Sequence, residues 1–233
     1  MAAGASVAAA VNGLRQTGDL TTGAAPGCLQ PSAQPFAPSF VPCFVPAIAL
    51  PEGQAYEAFI ARSGQVPTRH NAHDFFNALM WLHRPALKAR LNALQDADIT
   101  RYGVGEHRGL LRDALTLFDE SGAVLQAPAH LVDALRRRDW HALFVTHRVD
   151  WRQARFEVFG HALLEKLALA PRKALTAHVL VGDPLDLSAA QWASKPFCPM
   201  PVLGVPGWWP ANDDPAFYDD TAVFRPLSTS IMR

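Results

Sequence analysis

The chain has 233 residues, of which 49% are hydrophobic and 18% charged, and this is enough to build a sizeable globular core. Its 21 basic and 21 acidic side chains cancel, so the sequence lacks the basic surplus that phosphate contacts require, and we expect no nucleic-acid partner. Three widely spaced cysteines form neither a disulfide framework nor a metal-binding motif, and the best apolar run is interrupted by prolines. We therefore expect a cytoplasmic protein without a membrane span.

The N-terminal part of the chain differs in composition from the rest. Residues 1–35 are rich in Ala, Gly, Thr and Pro and contain no aromatic side chain. Such a segment has too little to bury against the entropy of ordering it, so we predict a disordered extension. We expect a single globular domain over residues 36–233. It begins with a proline-rich arm, residues 36–51, which we predict to be extended because its prolines remove backbone donors.

Three helices are predicted in the first part of the globular region. The stretch "GQAYEAFIARSG" is typical of a short helix that ends at Gly64. A second helix is predicted over residues 72–83. A third is predicted over residues 85–95, because Pro85 suits its first position and leucines recur there at helical spacing.

The middle of the chain is predicted to mix strands and helices. "DALTLFDESGAVLQ" has two short apolar runs around residues 119–122, which predicts a β-hairpin with a four-residue loop. A helix is predicted over residues 128–138, and "ALFVTHR" is predicted to be a strand. A long helix is then predicted over residues 151–169.

The C-terminal part is predicted to be less regular. "LTAHVLVGD" reads as a third strand region, and "DLSAAQWAS" as a short helix opened by Asp186. Residues 195–226 are dense in proline yet rich in aromatic side chains, which predicts an ordered, irregular wrap. The order of elements predicts an α+β fold, with several helices around a small, mainly antiparallel sheet and a long irregular C-terminal wrap.

Five stretches, in order along the chain, resemble a proteobacterial family of unknown function, DUF3025. They are "HNAHDFFNALMWL", "RDALTLFDESG", "FGHALLEKL", "KPFCPMPVLGVPGWW" and "FYDDTAVFRP". The resemblance covers roughly residues 51–226, nearly all of the predicted globular region. It implies membership of a family but no activity, because the family has none assigned.

The predicted long helix carries the first candidate site. Glu157, His161 and Glu165 are four residues apart and therefore lie along one face of a helix. His161 and Glu165 could both ligate one metal ion, or the stripe could serve acid–base chemistry. The alternative is that these side chains form salt bridges or solvated edges.

The helix predicted over residues 72–83 carries the second candidate. Asn71 and Asp74 resemble a capping box, which gives both a structural task at the helix start. His73 and Asn77 lie one turn apart on a narrow polar strip. They are either exposed or part of a polar pocket.

Four further polar residues are interpreted in their local context. Asp119 and Glu120 were assigned to the hairpin turn, and Asp113 to a buried ion pair or a pocket lining just before a strand. His178, in an apolar strand, was interpreted as a hydrogen-bonded core histidine.

These patterns leave two hypotheses for function. The sequence favours a non-catalytic binding or interaction protein, whose partner it does not specify. The alternative is a metal-assisted hydrolase in which a divalent ion on His161 and Glu165 activates water, with His73 and Asn77 in the same pocket. In that hypothesis Asp74 and Asp113 do not contact the ion but keep its ligands in position.

Overall fold

The computed structural model describes residues 41–103 and 109–227. The predicted disorder of residues 1–35 lies outside this range. Contacts between Cα atoms divide the chain into two compact units on either side of the Leu115–Thr116 bond, and each unit is described by itself. The single domain expected over residues 36–233 stays a prediction.

The first unit contains a small parallel sheet and several helices. Its elements are β1 (Cys43–Pro46), α1 (Tyr56–Ser63), β2 (Gln65–Thr68), α2 (Ala72–His83), α3 (Pro85–Tyr102) and the beginning of α4 (Leu110–Ser121). Strands β1 and β2 pair in parallel along their whole length. Within the predicted extended arm, Cys43–Pro46 form β1, whereas Ala47–Ala49 form a 3-10 turn and residues 36–40 lie outside the described range.

The helix ends of the first unit follow from local chemistry. Helix α1 ends at Gly64, whose φ of 67° lies in the left-handed region that favours glycine. Helix α2 begins where the Asn71 side chain accepts a hydrogen bond from the backbone of Asp74. Helix α3 begins with Pro85, as predicted, but runs to Tyr102 rather than ending at Gln95. The core between these elements consists of Phe44, Ile60, Val66, Ala78 and Trp81.

The second unit is built on a four-stranded sheet. Its elements are β3 (Gly122–Gln126), α5 (Ala129–Arg137), β4 (Arg155–Val158), α6 (His161–Leu169), β5 (Thr176–Val181), α7 (Ala189–Ala193) and β6 (Phe197–Pro201). The strand order is β4-β3-β5-β6. Strands β3 and β5 are parallel, whereas both outer strands are antiparallel to their neighbours. The predicted α+β fold with a small, mainly antiparallel sheet is confirmed.

Aromatic side chains fill the core of the second unit. The ring of Phe144 stacks on Trp151 at 5.6 Å and on Tyr218 at 5.2 Å between centroids. Phe224 closes this cluster and is only 2% exposed. The C-terminal segment therefore packs its aromatic residues inward, as predicted for an ordered wrap. Its first residues, however, are the regular strand β6, and single 3-10 turns follow.

The hairpin predicted around residues 119–122 is wrong. Helix α4 continues to Ser121, and β3 starts at Gly122. Ala114, Leu115 and Phe118 lie at helical spacing and are fully buried. Asp119 and Glu120 therefore belong to the last turn of a helix and not to a loop, and Asp113 lies on the same helix instead of preceding a strand.

The strand predicted for "ALFVTHR" is also wrong. Residues Ala142–Thr146 form a short π-helix, and Arg148–Gln153 form a 3-10 helix. Leu143 and Phe144 are buried on the helical face, where the Trp151 indole donates to the Leu143 carbonyl at 2.8 Å. The β-branched pair Val145 and Thr146 suggested a strand, but tertiary packing overrode that local preference.

The long helix predicted over residues 151–169 is wrong as well. Strand β4 ends at Val158, and α6 begins only at His161, after Gly160. Glu157 therefore lies on a strand, opposite Val124. The predicted stripe loses Glu157, whereas His161 and Glu165 remain one turn apart on α6.

Two smaller points complete the fold. The short helix α7 is opened by Ser188 in a capping box with Gln191, and Asp186 belongs to the preceding 3-10 turn instead. Within residues 41–103 and 109–227, no helix combines the length and apolar composition needed to cross a membrane.

Candidate functional site

Two glycines bring the start of α6 against the end of α4. A Cβ atom on Gly160 would lie 2.4 Å from the Ser121 Cα, a distance that no folded backbone tolerates. The amides of Phe159 and Gly160 both donate to the Gly122 carbonyl, at 3.0 and 2.8 Å. The stretches "DESG" and "FGH" therefore meet because glycine lets their backbones approach closely.

This approach places His161 between two carboxylates. His161 is the first residue of α6 and is 4% exposed. Its Nδ1 lies 3.7 Å from the nearer carboxylate oxygen of Asp119, and its Nε2 lies 3.6 Å from that of Glu120. Both separations exceed a hydrogen-bond length, so the imidazole and the two carboxylates are close without being hydrogen-bonded to each other.

The electrostatics of this cluster favour a cation. Asp119 and Glu120 lie in the last turn of α4, where the helix macrodipole adds a partial negative charge to that of the carboxylates. Two ligand atoms about 2.1 Å from one zinc-class ion lie about 3.4 Å apart in tetrahedral geometry. The 3.6 Å between His161 Nε2 and the Glu120 oxygen is close to that spacing. Asp119, opposite the other ring nitrogen, has the position of a carboxylate that orients a metal-bound histidine.

Two of the predicted site residues are hydrogen-bonded within the first unit. The Asp74 carboxylate accepts from the Arg69 backbone at 2.6 Å and from its guanidinium at 2.9 and 3.1 Å. The Asn77 amide donates to the Tyr56 hydroxyl at 3.2 Å and accepts from Lys88 at 2.7 Å. The predicted cap is confirmed for Asn71, while Asp74 contributes its amide to that cap and its carboxylate to Arg69.

The remaining predicted residues are distributed over both units. His73 is the second residue of α2 and is half-buried, and Asp113 is exposed in the first turn of α4. Glu165 is half-buried on α6, one turn after His161. The convergence of His73 and Asn77 with His161 stays a prediction.

A serine–histidine contact lies next to the cluster but does not have the geometry of an activated nucleophile. The Ser121 hydroxyl and His178 Nδ1 are 2.9 Å apart. The same hydroxyl donates its single proton to the Leu117 carbonyl, with 3.0 Å between the two oxygens, and this carbonyl is the usual partner of a serine inside a helix. With that proton donated to Leu117, the histidine donates to the hydroxyl. His178 is hydrogen-bonded, as interpreted, but it is half-buried and not a core residue.

The cysteine in β6 is similarly unsuited to nucleophilic chemistry. Burial is the main influence on the Cys198 thiol and raises its pKa, against the smaller opposing effects of Arg136 and Arg138. A raised pKa lowers the thiolate fraction at neutral pH.

Asp119 and Glu120 are the site residues that the sequence analysis misassigned. The signal that would have placed them was the helical spacing of Ala114, Leu115 and Phe118, which carries the helix as far as "DES". With the helix extended, the following Gly122 marks the start of the next strand.

Fold and site together define an α+β protein with an acid–histidine cluster at the junction of α4, β3 and α6. Residues 43–191 and 183–228 match the model of the family described as Protein of unknown function (DUF3025), so the chain belongs to this family. Comparisons with curated proteins and with solved structures found no match.

Proposed function

We propose that this protein is a metal-assisted hydrolase whose divalent ion is bound in the second unit by His161 and Glu120. The observation that carries the proposal is a buried imidazole 3.6 Å from one carboxylate and 3.7 Å from another. Both separations are within salt-bridge distance of a protonated imidazole, and with a neutral imidazole the same spacing suits a shared cation.

Glu165 is the third ligand in this proposal. It lies four residues after His161 on α6, and side chains at that spacing are neighbours on a helix surface. Histidine and glutamate ligands from one helix, completed by a glutamate from elsewhere, leave a coordination position for water. The predicted pair of His161 and Glu165 is thus kept and extended by Glu120.

The chemistry follows from these roles. A bound divalent ion would supply Lewis acidity and lower the pKa of a water ligand towards neutrality. Asp119 lies 3.7 Å from the other ring nitrogen of His161 and is a further carboxylate that would accept the proton that water gives up. On an ester, amide or phosphoryl substrate, this water would attack the reacting centre, and its proton would pass to Asp119 and from there to the leaving group.

Metal content tests the proposal directly. The full-length protein, its His161→Ala, Glu120→Gln double variant and its Glu165→Gln variant would be loaded with Zn²⁺ or Mn²⁺, dialysed and analysed for metal. We expect the double variant to retain one ion per chain fewer than the wild type, and Glu165→Gln to hold that ion more weakly. The exposed residues His141 and Glu52 supply matched controls, His141→Ala and Glu52→Gln, which should retain the ion.

An activity assay then distinguishes a hydrolase from a protein that binds without catalysis. Metal-loaded protein would be assayed on aryl esters and aryl phosphates before and after a chelator. Chelator-sensitive turnover that the double variant lacks supports the hydrolase. Equal metal binding by the double variant and the wild type overturns the proposed site.

The predicted participation of His73 and Asn77 is tested in the same assays. His73→Ala should lower metal affinity if this residue is a ligand, whereas His70→Ala, in the exposed turn just before α2, should not. Asn77→Ala needs a stability measurement beside it, since its amide is hydrogen-bonded to Tyr56 and Lys88.

Binding or interaction without catalysis is the second candidate, and exposed apolar side chains favour it. Large hydrophobic residues are more than 60% exposed at five places among the described residues: Ile48, Tyr102, Leu110, Val149 and Leu169. Against it, two of the C-terminal aromatics that are candidates for partner contact, Tyr218 and Phe224, are buried in the core, although Trp208 is 39% exposed. A protein that binds metal at His161 but hydrolyses none of the test substrates would favour this second candidate.

A further inference from the structure

A second cluster of metal-ligand type lies elsewhere in the second unit. His130 Nε2 is 2.9 Å from an oxygen of Asp150, and His147 Nδ1 is 3.4 Å from the same oxygen. The two imidazole rings are 4.6 Å apart between centroids. We propose that His130, His147 and Asp150 bind a divalent transition-metal ion of the zinc class. This site shares no residue with the proposed hydrolase site and does not depend on it.

The donor set selects the kind of ion. Two imidazoles and one carboxylate suit zinc, cobalt, nickel, copper or iron, whereas calcium and magnesium prefer oxygen ligands alone. Neutral imidazole is the commonest metal-binding side chain, and one carboxylate offsets part of the charge of the ion. A zinc-class ion is therefore the ligand that this cluster fits best.

The spacing of the donors is close to what one ion requires. Ligand atoms about 2.1 Å from the same ion lie at most about 4.2 Å apart. The two distances to the Asp150 oxygen, 2.9 and 3.4 Å, are already below that limit. One ligand atom from each of the three residues lies within 4.8 Å of the other two. A small rotation of an imidazole ring would bring all three atoms within the 4.2 Å limit, about the maximum for one ion.

The backbone that carries two of the ligands is held in place. His147 and Asp150 flank the start of the 3-10 helix Arg148–Gln153, where the Asp150 amide donates to the His147 carbonyl at 3.0 Å. Arg148, between them, donates to the Asn212 carbonyl at 3.0 Å and pairs with Asp213. The Arg148 charge is thus paired with Asp213, and these contacts fix the turn that carries His147 and Asp150.

The cluster is open enough for an ion to enter and keep water. The side chain of His130 is 44% exposed, and those of His147 and Asp150 are each 33% exposed. Three protein ligands with water in the remaining position would tie α5, which carries His130, to the segment that follows the π-helix. The ion would then act as a cross-link within the second unit.

Cobalt binding tests the inference, because Co²⁺ reports its ligands through visible absorption. Full-length protein with the first site removed by His161→Ala and Glu120→Gln would be titrated with Co²⁺, then competed with Zn²⁺. We expect one Co²⁺ per chain, displaced by Zn²⁺. Adding His130→Ala, His147→Ala or Asp150→Asn should weaken Co²⁺ binding tenfold or more, since even outer-shell partners cost 10- to 100-fold.

Two controls keep a loss of binding interpretable. His141→Ala removes an exposed histidine from the same region and should leave Co²⁺ affinity unchanged. Circular dichroism and thermal unfolding in a chelator should match between the background protein and each variant. Added Zn²⁺ should raise the melting temperature of the background protein but not that of the His147→Ala variant.

The inference is overturned if the His130→Ala and His147→Ala variants bind Co²⁺ as tightly as the background protein. It is also overturned if the background protein binds Co²⁺ only at millimolar concentrations, which is the affinity of scattered surface histidines.

Discussion

Both units bury polar side chains, but they arrange them in different ways. In the first unit, Lys88 is 4% exposed and its ammonium donates to Asn77 at 2.7 Å. The Asn77 amide donates in turn to Tyr56, and the buried Asn92 amide donates to the Glu57 carbonyl at 3.0 Å. These donors and acceptors lie within hydrogen-bond distance of one another, and such a network stabilises the fold.

In the second unit, the buried imidazole of His161 faces two carboxylates at 3.6 and 3.7 Å. That spacing is too wide for hydrogen bonds between the groups and close to the spacing of ligands around a metal ion. For these two clusters, the residue types alone do not separate a hydrogen-bonded network from a group of side chains that are close but not hydrogen-bonded to one another. The distances between their polar atoms do.

The largest expected effect is on the backbone junction that builds the second-unit site. Gly160→Ala would place a Cβ atom 2.4 Å from the Ser121 Cα and 2.5 Å from its nitrogen, so α4 and α6 must separate. We expect a loss of about 3 kcal/mol in the free energy of unfolding, the upper range for overpacking, together with loss of metal binding at His161. Chemical denaturation and metal analysis measure the two effects.

Gly109→Ala is the matched control, because the nearest atom to its added Cβ lies at an ordinary 3.8 Å. It should change the free energy of unfolding by less than about 1 kcal/mol. Equal stability of the two alanine variants would show that close backbone approach does not build the site.

The intermediate effect concerns the hydrogen-bonded network of the first unit. Asn77→Ala removes the acceptor of Lys88 and the donor to Tyr56. We expect a loss of about 1–3 kcal/mol in the free energy of unfolding, with metal content unchanged. Denaturation curves and metal analysis provide the measurements. A variant that unfolds like the wild type but has lost hydrolysis would break the comparison and make Asn77 a functional residue, as the sequence analysis supposed.

The smallest effect is a pH dependence of stability from His178. Burial, helped by the charge of Lys195, lowers the pKa of this imidazole from its ordinary value of 6.5. Between the lowered pKa and 6.5 the unfolded chain binds more protons than the folded protein, so stability falls as the pH drops below about 6.5. The decline stops once the pH is below the folded pKa. Unfolding measured at several pH values between 5 and 7 reports this slope.

His178→Asn should remove that contribution to the slope while keeping an amide donor near Ser121. Thr176→Val, an exposed change on the same strand, should leave the slope unaltered. An identical slope in wild type and His178→Asn would assign the pH dependence to other groups.

Where the sequence predicted structure correctly, the cause was local. Three helix ends were predicted from single residues: Gly64, Asn71 and Pro85. Each of these residues acts within one helical turn, so its effect can be predicted without knowledge of the rest of the fold. The α+β class also followed from the order of apolar patterns. His161 and Glu165 kept their predicted spacing because both lie inside one regular helix.

Where the sequence failed, the cause was a contact distant along the chain. The segment around Gly160 has helical apolar spacing, but the Gly122 carbonyl takes the amides of Phe159 and Gly160 and ends the strand there. The pairing of Glu157 with Val124 likewise depends on β3. Neither His130 nor His147 stood out in sequence, because Asp150 joins them only through the path of the folded chain.

The parallel pairing of β3 with β5 has consequences for the order in which the second unit assembles. Gly122 pairs with His178, and α5, β4 and α6 all lie between them along the chain. Closing so long a loop costs conformational entropy before the hydrogen bonds between β3 and β5 can stabilise the sheet. Contacts of this kind therefore slow folding. On the ribosome, the sheet centre forms only after β5 has emerged, and β6 pairs last. A nascent chain that ends before β5 therefore exposes the unpaired edge of β3. Because an unpaired strand edge can pair with another chain, we expect such nascent chains to be prone to aggregation.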